Sequence, residues 1–199
     1  AQRHRVTLEG SSDGRISRAK IDLLAETGAY PHNGSAIPMF SRLVATGMYD
    51  IPRLEFDTTI VVTNRAPTGS YRGAGRPEAA LAIERAIDAF ARQAGLDPID
   101  VRRKNAIRDL PHTTPTGAVY DSGDYVASID MAMRMIDLEA RRAERQRRLT
   151  EGGNPIGIGL IGCGKFATMF LAQAARTPGI AIRAIADLDP PAARAKVAA

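Results

Sequence analysis

Two short stretches combine residue types that could do chemistry. Tyr71-Arg72-Gly73-Ala74-Gly75-Arg76 places two glycines among three polar or cationic side chains, directly before a helix-start signal at Pro77. Glycines let backbone N–H groups approach a ligand, while guanidinium groups and a helix N-terminus favour negative charge, so this stretch predicts a site for an anion or oxo ligand. The alternative is a strand-to-helix turn whose arginines pair with nearby carboxylates. The second stretch, Gly162-Cys163-Gly164-Lys165-Phe166-Ala167, fits the G-x-G-x-x-G/A dinucleotide pattern. It follows an apolar strand pattern and opens a helical one, and Asp187 lies 20 residues past Ala167 at the end of the next strand pattern. A carboxylate there accepts hydrogen bonds from a ribose 2′-OH and repels a 2′-phosphate, which favours NAD over NADP. Gly162, Gly164, Ala167 and Asp187 are thus candidate NAD contacts, against the alternative of a tight turn with no ligand.

Other reactive side chains give weaker signals. His4, His32 and His112 are scattered without metal-ligand spacing and read as surface or loop residues. Cys163 fills a free position of the glycine motif and has no positioned base beside it. Met131, Met133 and Met135 alternate within a helical pattern, so they cannot share one face and read as partial core.

These stretches need elements to position them. Val6 and Leu8, then Gly10-Ser11-Ser12-Asp13-Gly14, then Ile16 with Ala19, Ile21, Leu23 and Ala25 at period two predict a β-hairpin. Residues 31–50 read as a loop with room for a short helix. Leu54, Phe56, Thr58, Ile60 and Val62 alternate as one face of a half-buried strand. A helix follows Pro77, with Ala80, Ile83, Ile87, Phe90 and Ala94 on one face and Gly95 as its stop. Asp97-Pro98 starts another, an N-cap with proline behind it. After a loop from Pro111 to Gly123, Tyr125, Ile129, Ala132 and Ile136 mark a third helix. Leu149-Thr150-Glu151-Gly152-Gly153-Asn154-Pro155 breaks every pattern. Beyond it, Ile156–Ile161, the glycine motif, Ile180–Ile185 and Pro190–Ala199 read strand, helix, strand, helix.

Composition narrows the class. The 199 residues are 44% hydrophobic and carry one cysteine, which fits a globular core and excludes an internal disulfide. That cysteine usage suggests a reducing, cytoplasmic setting. No apolar run approaches the roughly 20 residues that span a bilayer. Formal charge is +5, but with 5% aromatic residues and no Trp the chain is not expected to bind nucleic acid. The run Arg141–Arg148 reads as a solvated helix end. The opening Ala1-Gln2-Arg3-His4-Arg5 has no initiator Met and no apolar signal core, as expected of a segment cut from a longer chain.

Thr68-Gly69-Ser70-Tyr71-Arg72-Gly73-Ala74-Gly75-Arg76-Pro77-Glu78-Ala79, with Glu84-Arg85, resembles the molybdenum-binding large subunit of the xanthine dehydrogenase, aldehyde oxidase and carbon monoxide dehydrogenase family. The resemblance continues through Gly95-Leu96-Asp97-Pro98, Arg102-Arg103-Lys104-Asn105, Thr114-Pro115-Thr116-Gly117 and Tyr120–Tyr125, and reaches back to Asp13–Ile16 and Gly28-Ala29-Tyr30. It implies a molybdenum–molybdopterin cytosine dinucleotide cofactor, hydroxylation of an aldehyde or heterocycle with water-derived oxygen, and partner subunits carrying FAD and 2Fe-2S clusters. Tyr71, Arg72, Gly73, Ala74 and Gly75 would form the cofactor-facing edge, without direct side-chain ligation of metal. Arg76 and Glu78 would hold the loop in shape. Carbon monoxide dehydrogenases have a copper-binding Cys after the Tyr-Arg pair, where this chain has Gly73, so carbon monoxide oxidation is not expected. The catalytic Glu of the family is expected outside this chain, which by itself should not turn over.

Gly159–Ala167 is similar to the start of homoserine-dehydrogenase-like NAD(P)-dependent oxidoreductases, which implies a truncated Rossmann βαβα. The two resemblances overlap at 156–160, as expected if two coding sequences had been joined there. The expected organisation is an α+β partial molybdopterin-binding domain over 1–148, a linker or fusion junction over 149–155, and an α/β segment over 156–199. Alternatives left open are an NAD-dependent oxidoreductase fragment and an inactive chimeric or subunit-docking fragment.

Overall fold

The computed structural model describes residues 2–150, 156–161, 171, 173 and 180–186. The chain divides into two compact units, Ala1–Arg134 and Met135–Ala199.

In the first unit, β1 (Gln2–Gly10) and β2 (Ile16–Glu26) pair antiparallel as the expected hairpin. Gly14 at φ 92° closes its turn. Ala19, Ile21, Leu23 and Ala25 are each at most 2% exposed, so the period-two alternation does mark the inner face. On the outer face Arg18 bridges Glu9 of β1 at 2.6 Å and Glu55 of the next strand.

The chain then makes a 3₁₀ turn, Asn33–Ala36, and a short helix α1 (Ile37–Leu43), before β3 (Leu54–Val61) returns parallel to β2. The sheet order is β1-β2-β3. Leu54 and Phe56 are half-buried, but Ile60 and Val62 on the same face are 44% and 62% exposed. The core cluster reaches Leu54 and goes no further along this strand.

Helix α2 (Arg76–Ala94) has Pro77 in its first turn, and the Gly95 N–H closes its C-terminus on the Ala91 and Arg92 carbonyls. Its buried stripe is Ala79, Ile83, Ile87 and Ala91, with Phe90 half-buried beside it, whereas Ala80 and Ala94 are exposed. Ile83 and Ile87 are buried as expected, but alanine sits on several faces of this helix, and the expected Ala80 and Phe90 each fall one residue from the buried Ala79 and Ala91. Ile83, Ile87 and Ala91 of this stripe join Ile16, Ala19, Tyr49, Ile51 and Val101 in one core cluster.

Helix α3 (Pro98–Asn105) begins on the predicted cap, the Asp97 side chain accepting the Ile99 N–H at 2.7 Å. Asn105, fully buried, ends it. Its Oδ1 accepts the Ile16 N–H at 2.8 Å, and its Nδ2 donates to the Gly14 and Val101 carbonyls, each at 2.8 Å. One side chain thereby ties the hairpin turn to α3.

The stretch read as a loop holds a two-residue ladder, β4 (His112–Thr113) with β5 (Val119–Tyr120). Helix α4 (Tyr125–Met135) buries only Ile129 of its predicted face, with Ala132 exposed and Ile136 49% exposed. Met131 and Met135 are exposed and Met133 is half-buried, so the methionines contribute less core than the pattern suggested.

The second unit holds α5 (Leu138–Thr150), whose arginines pair along the helix with Glu139 and Glu144. It also holds β6 (Ile156–Ile161) and β7 (Ile180–Ala186), paired parallel with a register shift at Ile158/Gly159. Gly162, Gly164, Ala167, Asp187 and Cys163 lie outside the described residues. No described helix is long and apolar enough to cross a membrane.

Candidate functional site

The Tyr71–Gly75 loop is positioned by stitching at the exits of β2 and β3. Thr27 N–H donates to Val61 O, Thr63 N–H to Gly28 O, Ala29 N–H to Arg65 O and Thr68 N–H to Thr27 O, all at 2.9–3.1 Å. The Thr68 hydroxyl adds a bond to Glu26 O at 3.0 Å. Asn33 Nδ2 reaches Ser70 Oγ at 3.2 Å, and Ser41 Oγ donates to Gly75 O at 2.9 Å. Neither Asn33 nor Ser41 was legible as a loop clamp, because each lies 34–37 positions away in sequence.

Between these clamps, Gly73, Ala74 and Gly75 take φ values of 95°, 38° and 89°. Three successive left-handed residues are costly for anything but glycine, and Ala74 bears that strain. The turn is closed by Ala74 N–H on Tyr71 O at 2.9 Å and Arg76 N–H on Gly73 O at 3.1 Å. The N–H groups of Gly73 and Gly75 have no protein acceptor among the described residues. Gly75 is buried, and a Cβ there would collide with Ile37 O and come within 2.8 Å of Ser41 N.

Tyr71 is 87% exposed and Arg72 is also exposed. Neither Arg72 nor Arg76 pairs with a carboxylate among the described residues. Arg76 stacks over Phe40, 5.5 Å from the ring centroid, and reaches Gly73 O at 3.4 Å, so it does brace the loop. Glu78 does not. Its Oε2 is shielded from solvent and accepts no hydrogen bond among the described residues, at a cost of about 1–3 kcal/mol.

Glu78 lines a cleft of about 750 Å³ beside the loop, between β1 and the outward face of α2, with Thr68 and Gly69 on its rim. His4 lines the same cleft and bonds Gln2 Oε1 at 3.0 Å; burial lowers its pKa while the Glu78 charge opposes that. The Glu84 of the sequence motif has a structural task instead. It accepts the Tyr49 hydroxyl at 2.7 Å and the Arg102 Nε at 2.8 Å, while Arg102 also donates to Asp88 at 2.8 Å. Burial and the Glu84 carboxylate push the Tyr49 phenol well above its usual range. No group of three His, Cys, Asp or Glu side chains suited to a metal ion occurs among the described residues.

This fold coincides with a known domain. The molybdopterin cofactor-binding domain family matches residues 1–106. The chain belongs to that family, in the form found in large subunits of xanthine dehydrogenase and carbon monoxide dehydrogenase type. It is 34% identical over 161 residues to the nicotine 6-hydroxylase large subunit of Paenarthrobacter nicotinovorans, covering 78% of this chain and 20% of that protein. It is 35% identical over 162 residues to the carbon monoxide dehydrogenase large chain of Hydrogenophaga pseudoflava, covering 77% and 20%. Among solved structures, quinoline 2-oxidoreductase of Pseudomonas putida 86 matches with a TM-score of 0.71 at 24% identity, over 92% of this chain and 30% of that one. The carbon monoxide dehydrogenase of Oligotropha carboxidovorans matches with a TM-score of 0.68 at 31% identity, over 77% and 20%. The relatives are molybdenum oxidoreductases and subunits of larger complexes. The chain spans about a fifth of the length of these curated relatives.

Proposed function

We propose that residues 1–148 are part of a molybdenum hydroxylase large subunit that hydroxylates an aldehyde or N-heterocycle with water-derived oxygen, working with FAD and 2Fe-2S subunits. The observation that carries this reading is the loop itself. Two backbone N–H groups, on Gly73 and Gly75, are left without protein acceptors beside the unpaired guanidinium of Arg72. Such donors suit the oxo and phosphate oxygens of molybdopterin cytosine dinucleotide. When bound, that group supplies oxygen transfer and accepts the electrons; Tyr71–Gly75 would shape and polarise its edge, and the proton-accepting Glu would come from elsewhere in the large subunit.

Carbon monoxide oxidation does not fit. A Cys in place of Gly73 would bring its Cβ within 2.8 Å of the Pro77 ring at φ 95°, so this loop would need rebuilding before it could present a thiolate to copper.

Expressed in a host that makes the cofactor, the 199-residue chain should carry only trace molybdenum by elemental analysis. The intact large subunit containing this segment should carry it stoichiometrically. There, Arg72→Ala should lower kcat/KM by about 10²-fold with molybdenum content unchanged. An intact subunit without molybdenum would overturn the reading, as would an Arg72→Ala enzyme of full activity.

The parallel pairing of β6 with β7 favours a second proposal for 156–199, the opening of an NAD-binding Rossmann domain joined through a 149–155 junction. Calorimetric titration with NAD should then show binding that Asp187→Ala abolishes. Binding that survives Asp187→Ala, or none in the parent chain, would remove NAD from the account.

A further inference from the structure

We propose that the cleft between β1 and α2 is a binding site for a small organic molecule carrying an ammonium or N–H donor at one end and an acid at the other. The inference does not rest on the molybdenum reading. Positions 78, 85 and 92 are spaced by seven along α2, so they share one helix face, and all three line the cleft. Glu78 presents a carboxylate with no hydrogen-bond donor, its Oε2 closed off from solvent. Buried polar atoms in native proteins are almost always satisfied, so an orphaned carboxylate oxygen points to a donor supplied by something else. His4, which lines the same cleft, is held towards its neutral form by burial and already bonds Gln2.

Arg85 and Arg92 supply the opposite charge, and neither has a carboxylate partner among the described residues. The anion and the first cation are separated along the helix by two turns, a rise of about 10 Å. The lining also includes the apolar side chains of Leu81, which is 63% exposed, and Ile37, together with a second carboxylate, Glu26. A volume of about 750 Å³ lies within the range of small-molecule sites. An apolar spacer with a donor at one end and an acid at the other matches this order of groups.

6-Aminohexanoate is a suitable probe, titrated into the ¹⁵N-labelled 199-residue chain, with hexanoate and hexylamine in parallel. Saturating shifts confined to α2 and β1 residues of the cleft are expected with Kd near 1 mM for the amino acid, and weaker binding of each single-ended compound. Glu78→Gln, which keeps the shape, should weaken 6-aminohexanoate about tenfold and leave hexanoate unchanged. Arg85→Gln, on an exposed position, should weaken hexanoate and 6-aminohexanoate alike. No saturable shift with any probe overturns the proposal. So does equal binding of 6-aminohexanoate and hexanoate that Glu78→Gln does not alter, since Glu78 would then have no role.

Discussion

Replacing Asn105 with alanine is expected to destabilise the first unit by about 3–5 kcal/mol. The side chain makes three buried hydrogen bonds at 2.8 Å, and its loss strands the Ile16 N–H and the Gly14 carbonyl where water does not reach. Urea unfolding of the full chain, followed by a probe in the first unit, reads this as a lowered midpoint at constant slope. A change below about 1 kcal/mol would show that solvent replaces the amide and that the clasp is dispensable.

Asn105→Asp adds a test through pH. One carboxylate oxygen can still accept the Ile16 N–H, but the other would face the Gly14 and Val101 carbonyls with no proton to donate. Burial and repulsion raise the folded pKa of the introduced carboxyl above its unfolded value. The deficit relative to the parent chain is therefore full above the folded pKa and shrinks as pH falls towards the unfolded pKa. A deficit that grows on acidification would contradict the hydrogen-bond assignment.

The second large effect is expected at Gly75. Gly75→Ala should cost about 3 kcal/mol, because the new methyl group meets backbone atoms on two sides, Ile37 O and Ser41 N, while φ stands at 89°. Gly95→Ala is the matched control. That residue is also left-handed, at φ 69°, but a Cβ there finds nothing within 4 Å, so only the backbone penalty of about 1 kcal/mol applies. The difference between the two variants isolates the close approach of α1 to the loop. Equal costs would mean that the loop shifts freely away from α1, and the positioning attributed to Ser41 would fall with it.

Local signals were legible wherever cause and effect lie within a few residues. Asp97-Pro98 announced its helix because the cap is a contact between positions 97 and 99. Period-two burial in β2 was readable because alternate residues face one core. The Tyr71–Arg76 loop was legible as a site from its glycines and arginines. Its supports were not, since Asn33 and Ser41 act across 34–37 positions. Asn105 stood in a run of charged residues, where nothing local separates a buried clasp from a solvated side chain. The cleft escaped notice because an alanine-rich helix has two plausible apolar faces. Ile83 and Ile87 of the buried stripe were legible, whereas the heptad order Glu78, Arg85, Arg92 on the other face was not.

The Asn105 clasp also sets an order of events during synthesis. Ile16 emerges 89 residues before the amide that satisfies its N–H, a delay of about 4–18 s at ribosomal speeds of about 5–20 residues per second. Hairpins close in about 1–10 μs, so β1 and β2 can meet long before Ile83, Ile87 and Val101 exist to cover them. For those seconds the nascent chain displays the apolar face of β2, from Ile16 to Ala25, to solvent and to any chaperone that meets it. The pace of translation across codons 17–105 thus sets how long that face stays bare, which makes it a determinant of yield independent of the finished protein's stability.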